Sequence, residues 1–185
     1  MTRIIAGTAG GRRLRTPSGS STRPTAGRVR EALFSALESG IGLRDADVLD
    51  LYAGSGAIGL EALSRGARRA LLVEHDRRTS RLIAKNAADL GFATASVVAT
   101  KVETFVQTRP EDAFDIAFLD PPYDVDAAAV SDVVDTLVTG GWLRPDAWIV
   151  VERSSRDTFG WPESVQPIRA KKYGETVLWY GQPHA

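Results

Sequence analysis

Residues 48–66 read VLDLYAGSGAIGLEALSRG. An apolar run holding one acid, Asp50, leads into Gly54, Gly56 and Gly59, and a helical pattern follows. The glycine spacing is G-x-G-x-x-G. Such a turn passes the chain from a strand into a helix and lets backbone N–H groups approach a nucleotide-like ligand. Glu74 follows about 20 residues later, where folds of this kind engage a ribose. A carboxylate suits that place because it accepts from both hydroxyls.

The glycines alone do not name the ligand. Asp50 stands four residues before Gly54, and a carboxylate aimed into the turn repels the pyrophosphate of a dinucleotide. It suits a ligand that carries positive charge, such as the ammonium and sulfonium of S-adenosylmethionine.

Outward from this turn the pattern alternates. Strand-like runs at 48–52, 70–74, 96–99, 115–120 and 148–152 are separated by helical patterns at 57–65, 77–90, 101–107 and 126–139. Short apolar strands alternating with amphipathic helices predict an α/β fold with a Rossmann-like, mostly parallel sheet covered on both faces. The last two runs, VQPIRA (165–170) and TVLWYG (176–181), are joined through KKYGE and predict an antiparallel pair closing the sheet. Ligands of such sheets bind beyond the carboxyl ends of the strands. VLD, LLVE and AFLD all end there, so Asp50, Glu74 and Asp120 are expected to share one crevice.

The N-terminal part is different. RIIAG, TAGG and RRLRTP predict a short hairpin with a glycine turn, expected to project from the main domain. A helical pattern runs from Thr25 until Gly40 ends it. The expected division is a basic extension over 1–22 and a main domain over 23–185. Net charge is zero, yet residues 1–30 hold seven arginines and no acid, so the remainder carries a net −7. A basic arm on an acidic body points to a polyanionic partner, most often nucleic acid. With no cysteine in the chain, disulfides and thiolate metal sites are excluded. His75 and His184 have no metal-ligand spacing, so no metal is expected. No apolar run reaches the roughly 18 residues of a membrane span, and the N-terminus lacks the apolar core of a signal peptide. A monomer in the cytoplasm, without a membrane, is the simplest expectation.

The second informative stretch is LDPPY, 119–123, after an apolar strand. Proline cannot donate to a sheet ladder, so pairing must stop there, and two rings stiffen the loop. One carboxylate (Asp120), one fixed carbonyl (Pro121) and one aromatic ring (Tyr123) suit a planar base with an exocyclic amine. Two acceptors take the N–H groups, and the ring stacks on the base. An amine lone pair delocalised into a base is a poor nucleophile. Holding both N–H bonds aims that lone pair at a methyl donor and stabilises charge developing on nitrogen.

These motifs resemble class I S-adenosylmethionine-dependent methyltransferases that modify exocyclic amines. RIIAG with GRRLRTP, TRPT with RVREALF, LDLYAGSGAIGLEALSRGA, LVEHD, FLDPPY and KKYGETVLWY together resemble the 16S ribosomal RNA guanine-N2 methyltransferases (the small-subunit methyltransferase D group) over nearly the whole chain. The resemblance implies a seven-stranded class I methyltransferase sheet with an N-terminal RNA-contacting hairpin. It also implies one 16S guanine as target, within an assembled or assembling 30S subunit. Carried over by position, Asp50, Gly54, Ser55, Gly56 and Glu74 would bind the cofactor. Asp120, Pro121 and Tyr123 would hold the guanine, with Pro122 beside them. Arg3, Arg12, Arg13 and Arg15 would contact RNA, and Arg23 the RNA or the cofactor. Lys171, Lys172 and Tyr173 would extend the basic face.

Two departures stand out. Tyr52 occupies a place where the common methyltransferase turn has glycine, although Tyr or Phe is usual in the guanine-N2 group. Lys101 stands where related enzymes carry an acid that accepts from the cofactor's adenine. Lysine cannot accept, so that recognition must rest on backbone near Val102 or on Glu103. DPPY alone also fits an adenine-N6 enzyme acting on DNA or RNA. Other classes compatible with single features are an NAD-dependent oxidoreductase and a non-catalytic RNA-binding assembly factor.

Overall fold

The computed structural model describes residues 2–19 and 24–184. Arg23 lies outside them. A two-stranded hairpin, β1 (Thr2–Arg3) and β2 (Arg13–Leu14), precedes α1 (Pro24–Ser39). Then come β3 (Asp47–Leu51), α2 (Ala57–Ser64), β4 (Arg69–Glu74), α3 (Arg77–Leu90), β5 (Ala95–Ala99) and α4 (Val102–Phe105). The chain ends with β6 (Phe114–Leu119), α5 (Ala127–Thr139), β7 (Leu143–Ser154), β8 (Val165–Tyr173) and β9 (Thr176–Pro183).

Seven strands form one sheet in the order β5-β4-β3-β6-β7-β9-β8. The first five are mutually parallel, and β9 joins β7 and β8 antiparallel. The expected sheet with its closing antiparallel pair is therefore present. β7 is longer than its apolar core, WIVVE. Its register against β6 jumps between the Phe114–Leu143 and Ile116–Trp148 pairs, and the intervening RPDA carries no alternation to announce a strand.

Period-two alternation decides which helices cover which face. Val48, Asp50, Ala70, Leu72, Ile116, Phe118 and Val150 share one face, beneath α1, α2, α3 and the hairpin. Leu49, Leu51, Val73, Ala117, Leu119, Ile149 and Val151 share the other, beneath α4 and α5. Because both faces are dry, these strands read as nearly unbroken apolar runs. Asp50 is the buried acid that β3 carries on the first face.

The hairpin does not project. Ile4, Ala9 and Leu14 are buried against Leu60, Leu63 and Ile83 of α2 and α3. Glu61, fully buried in α2, accepts from Ile5 N–H (2.7 Å) and Ala6 N–H (3.0 Å), and Arg65 and Arg30 compensate its charge. Arg15 N–H donates to Asn86 Oδ1 on α3, whose amide returns a bond to Arg15 O, both at 2.9 Å. A hairpin with two-residue strands cannot stand alone in water. Docking on α2 and α3 satisfies its backbone. Among the described residues no helix is long and apolar enough to cross a membrane.

Candidate active site

A cavity of about 980 Å³ opens at the carboxyl ends of the parallel strands, and Asp50, Glu74, Asp120 and Glu152 all line it. They come from β3, β4, the end of β6 and β7 in turn. The expected convergence of Asp50, Glu74 and Asp120 is thus observed, and a fourth strand adds Glu152.

On one side of the cavity the acids are held by backbone. Asp50 is 2 % exposed, and its Oδ2 accepts from Gly59 N–H at 2.9 Å. Burial pushes its carboxyl up to about 8, the Gly59 bond opposes that rise, and the charges of Asp120 and Glu74 add to it. Glu74 accepts from Gly54 N–H (3.0 Å) on one oxygen and from Asp76 N–H (2.9 Å) on the other. The oxygen that faces Asp76 also lies 3.1 Å from His75 Nδ1, so the oxygen bonded to Gly54 N–H is the one that keeps a further lone-pair site for a ligand.

The glycines divide their work. Gly54 lines the cavity beside Ser55. Gly56 does not: its N–H is used by Ala53 O, and at φ +79° a Cβ would stand 2.8 Å from Ile83. A Cβ on Gly59 would meet Leu72 at 2.7 Å and crowd Asp50 Oδ2 at 3.3 Å. The last two glycines therefore let α2 approach the sheet. Gly56, expected to contact the ligand, has this packing role and does not itself line the cavity.

The substituted turn position has a physical basis. Tyr52 takes φ +59°, the left-handed region that favours glycine. Its hydroxyl donates to Glu103 Oε1 at 2.9 Å, so the side chain that strains the turn also fixes an acid on the cavity wall. Burial, reinforced by Glu103, raises the Tyr52 hydroxyl above its ordinary range. Lys101, Val102 and Glu103 all line this side.

On the other side stands the DPPY loop. Pro121 is buried, whereas Tyr123 is 76 % exposed. The loop is anchored from behind: Val125 N–H donates to Pro122 O (3.0 Å), and Arg153, itself buried, donates to Val125 O (2.6 Å) while pairing with Asp157. Asp120 is open to the cavity, but the protein around it still raises its carboxyl, against the pull of Arg153. Glu152 is raised by burial first and then by the Asp120 charge.

The arginines fall elsewhere. Arg12, Arg13 and Arg15 line a separate depression with Asn86 and Asp89. Arg3 is exposed on β1, and its carbonyl accepts from Arg30, a residue of α1 that lines the main cavity. Lys171 and Lys172 are exposed and Tyr173 half-buried on β8, whose turn leads to Thr176 at the cavity.

The model of the family described as Conserved hypothetical protein 95 matches residues 2–182. Over 150 residues the chain is 42% identical to Ribosomal RNA small subunit methyltransferase D of Escherichia coli strain K12, covering 81% of this chain and 73% of that protein. The chain belongs to the small-subunit methyltransferase D family. The Haemophilus influenzae protein of the same name is 34% identical over 175 residues, covering 93% and 89%. Among solved structures, yhhF from Escherichia coli superposes with a TM-score of 0.86 at 38% identity, covering 100% of this chain and 98% of that one. TrmN from Thermus thermophilus, 17% identical with a TM-score of 0.68 over 84% of this chain and 48% of that one, shares the fold alone. The sheet is that of the class I methyltransferases.

Within this family fold, Glu152 and Arg30 line the cavity without having been expected there from sequence. Glu152 ends WIVVE just as Asp50, Glu74 and Asp120 stand near the ends of their runs, so the same strand-end rule would have found it. Arg30 is hidden in the repeating pattern of α1, and only its tertiary position brings it to the cavity.

Proposed function

We propose that the chain transfers a methyl group from S-adenosylmethionine to the exocyclic N2 amine of one guanine in 16S ribosomal RNA, within an assembled or assembling 30S subunit. One observation carries this reading: Asp120, Pro121 and the exposed Tyr123 share a single cavity with Asp50 and Glu74. The relatives named ribosomal RNA small subunit methyltransferase D support the RNA substrate.

The cofactor's chemistry fits the residues present. Asp50 is a buried carboxyl with no cation paired to it among the described residues, and a cationic ligand supplies one. S-adenosylmethionine, when bound, supplies a methyl group made electrophilic by its sulfonium. Asp50 compensates the ligand's positive charge, and Glu74 accepts from the ribose with the lone pair left on the oxygen bonded to Gly54 N–H. Glu103, steadied by Tyr52, accepts from the adenine amino group in place of the acid absent at Lys101.

Asp120 and the Pro121 carbonyl each accept one N–H of the guanine amine. This turns the nitrogen lone pair toward the methyl donor and stabilises charge as it develops. Asp120 then takes the released proton, a role suited to a carboxyl that the protein around it has already raised. Tyr123 stacks on the base. Residues 1–22 act as the RNA-contacting extension of a catalytic domain spanning 23–185, in a cytoplasmic monomer. Arg3, Arg12, Arg13, Arg15 and Arg23 contact phosphates, which position the RNA without specifying a base.

Thermal melting tests the cofactor. S-adenosylhomocysteine should raise the melting temperature and NAD should not, and stabilisation by NAD alone would defeat the reading. Nucleoside analysis of methylated small subunits tests the product. N2-methylguanosine is expected, and N6-methyladenosine would show adenine-N6 chemistry instead.

A further inference from the structure

Leu119 of β6 pairs with Val151 of β7. The next residue on each strand is an acid, Asp120 or Glu152, on the wall of the same cavity. Among the described residues, no hydrogen bond or ion pair reaches either carboxyl. Asp120 has the task described above, whereas Glu152 has none. It is a large acid in the cavity wall beside the group that holds the amine.

The bases differ at the atom next to their exocyclic amine. Guanine presents N1–H beside its N2 amine, a donor beside a donor. Adenine presents a bare N1 lone pair beside its N6 amine. An acceptor placed next to the amine-holding pair therefore distinguishes them. The geometry points to Glu152 as the specificity-determining residue of this site, its carboxylate accepting guanine N1–H while Asp120 and the Pro121 carbonyl hold the N2 amine. This rests on the guanine reading above. Adenine would turn a lone pair toward the carboxylate and leave it without a donor. The discrimination belongs to the ionised form, since a neutral Glu152 would donate to a bare N1. Burial and the charge of Asp120 both disfavour that ionised form, and guanine N1–H is the donor that restores it.

The test uses small-subunit RNA carrying guanosine or 2-aminopurine at the methylated position. 2-Aminopurine keeps the C2 amine but has a bare N1. The wild-type protein should prefer guanosine by about tenfold to a hundredfold in kcat/KM, the range expected for losing one hydrogen bond to a charged group. Glu152→Gln keeps the shape and can donate to a bare N1, so most of that preference should vanish. The missing O6 of 2-aminopurine affects both proteins alike and cancels in the comparison. An unchanged melting shift with S-adenosylhomocysteine establishes that the variant is folded. If its turnover is too slow to measure, the same ratio is read from RNA binding in the presence of S-adenosylhomocysteine. Equal discrimination by both proteins, or a wild type indifferent to the two bases, overturns the role of Glu152. Failure of the wild type to form N2-methylguanosine from guanosine overturns the guanine reading itself, so the two failures are separable.

Discussion

The two sides of the cavity hold their acids in opposite ways. On the β3–β4 side, Asp50 accepts from Gly59 N–H, and Glu74 accepts from Gly54 N–H and Asp76 N–H. On the β6–β7 side, Asp120 and Glu152 accept from no described donor. The first pair is fixed by the turn that makes the site. The second pair is held only through its strands and through the loop anchored by Arg153. A ligand entering the first side finds its acceptors already oriented, whereas a base entering the second side supplies the donors itself. Binding and chemistry should therefore fail separately when the two sides are mutated.

The largest separation is expected from Asp120→Ala. Methyl transfer should fall by about 10²–10³-fold or more, the scale of losing one transition-state partner. Stabilisation by S-adenosylhomocysteine should persist. A fully active variant would remove Asp120 from the reaction. Glu74→Ala should do the reverse. It strips the acceptor from two backbone N–H groups, at about 1–3 kcal/mol, and should weaken cofactor binding measured by calorimetry far more than it lowers turnover at saturating cofactor. Tyr123→Ala should raise the KM for RNA by the loss of a stacked base, roughly 1–3 kcal/mol or less. It should leave cofactor affinity unchanged, since Tyr123 is 76 % exposed and supports no core.

The last effect concerns pH and needs no mutation. Asp50 is raised in the ligand-free site to about 8, so the folded protein keeps that proton up to about pH 8. A cationic ligand favours the carboxylate, and binding releases the proton. Affinity for S-adenosylmethionine should then rise with pH up to about 8, by at most about tenfold per pH unit, and level off above it. For the ligand-free protein the same group acts with the opposite sign. The stability it contributes is present at low pH and is lost as pH climbs from the ordinary carboxylate range toward 8. The gain in melting temperature with S-adenosylmethionine should accordingly widen between pH 6 and 8. A gain that stayed flat would show that Asp50 does not sense the ligand.

Much of this architecture was legible because local patterns and tertiary demands agree. Strands buried on both faces must be apolar throughout, so VLDLY, ALLVE and DIAFLD announce themselves, and the strand-end rule gathers Asp50, Glu74 and Asp120. The docking of the hairpin is not announced because it uses side chains such as Glu61, a buried acid whose helical neighbours give no sign that it faces two backbone amides across more than 50 residues of chain. At Gly56 the fingerprint gives no sign of the close packing against Ile83, because it does not separate glycines that approach a ligand from those that admit a neighbouring side chain. Tyr52 shows the converse. Its left-handed backbone explains why glycine is common at that place in the fold, but its bond to Glu103 depends on the position of α4, which strand periodicity does not encode.

Glu61 joins the arm and the core. It carries the amides of Ile5 and Ala6 on the same helix that supplies the Gly59 amide to Asp50. The arginine arm and the cofactor turn therefore belong to one stiff piece, with Arg30 strapping Arg3 to the cavity wall. If the arm grips phosphates, the span from that grip to the cavity is set before any RNA arrives. The molecule then works as a caliper. A guanine is accepted when the RNA's own shape holds it at that span from the gripped backbone, and the same base at another distance finds the jaws misplaced.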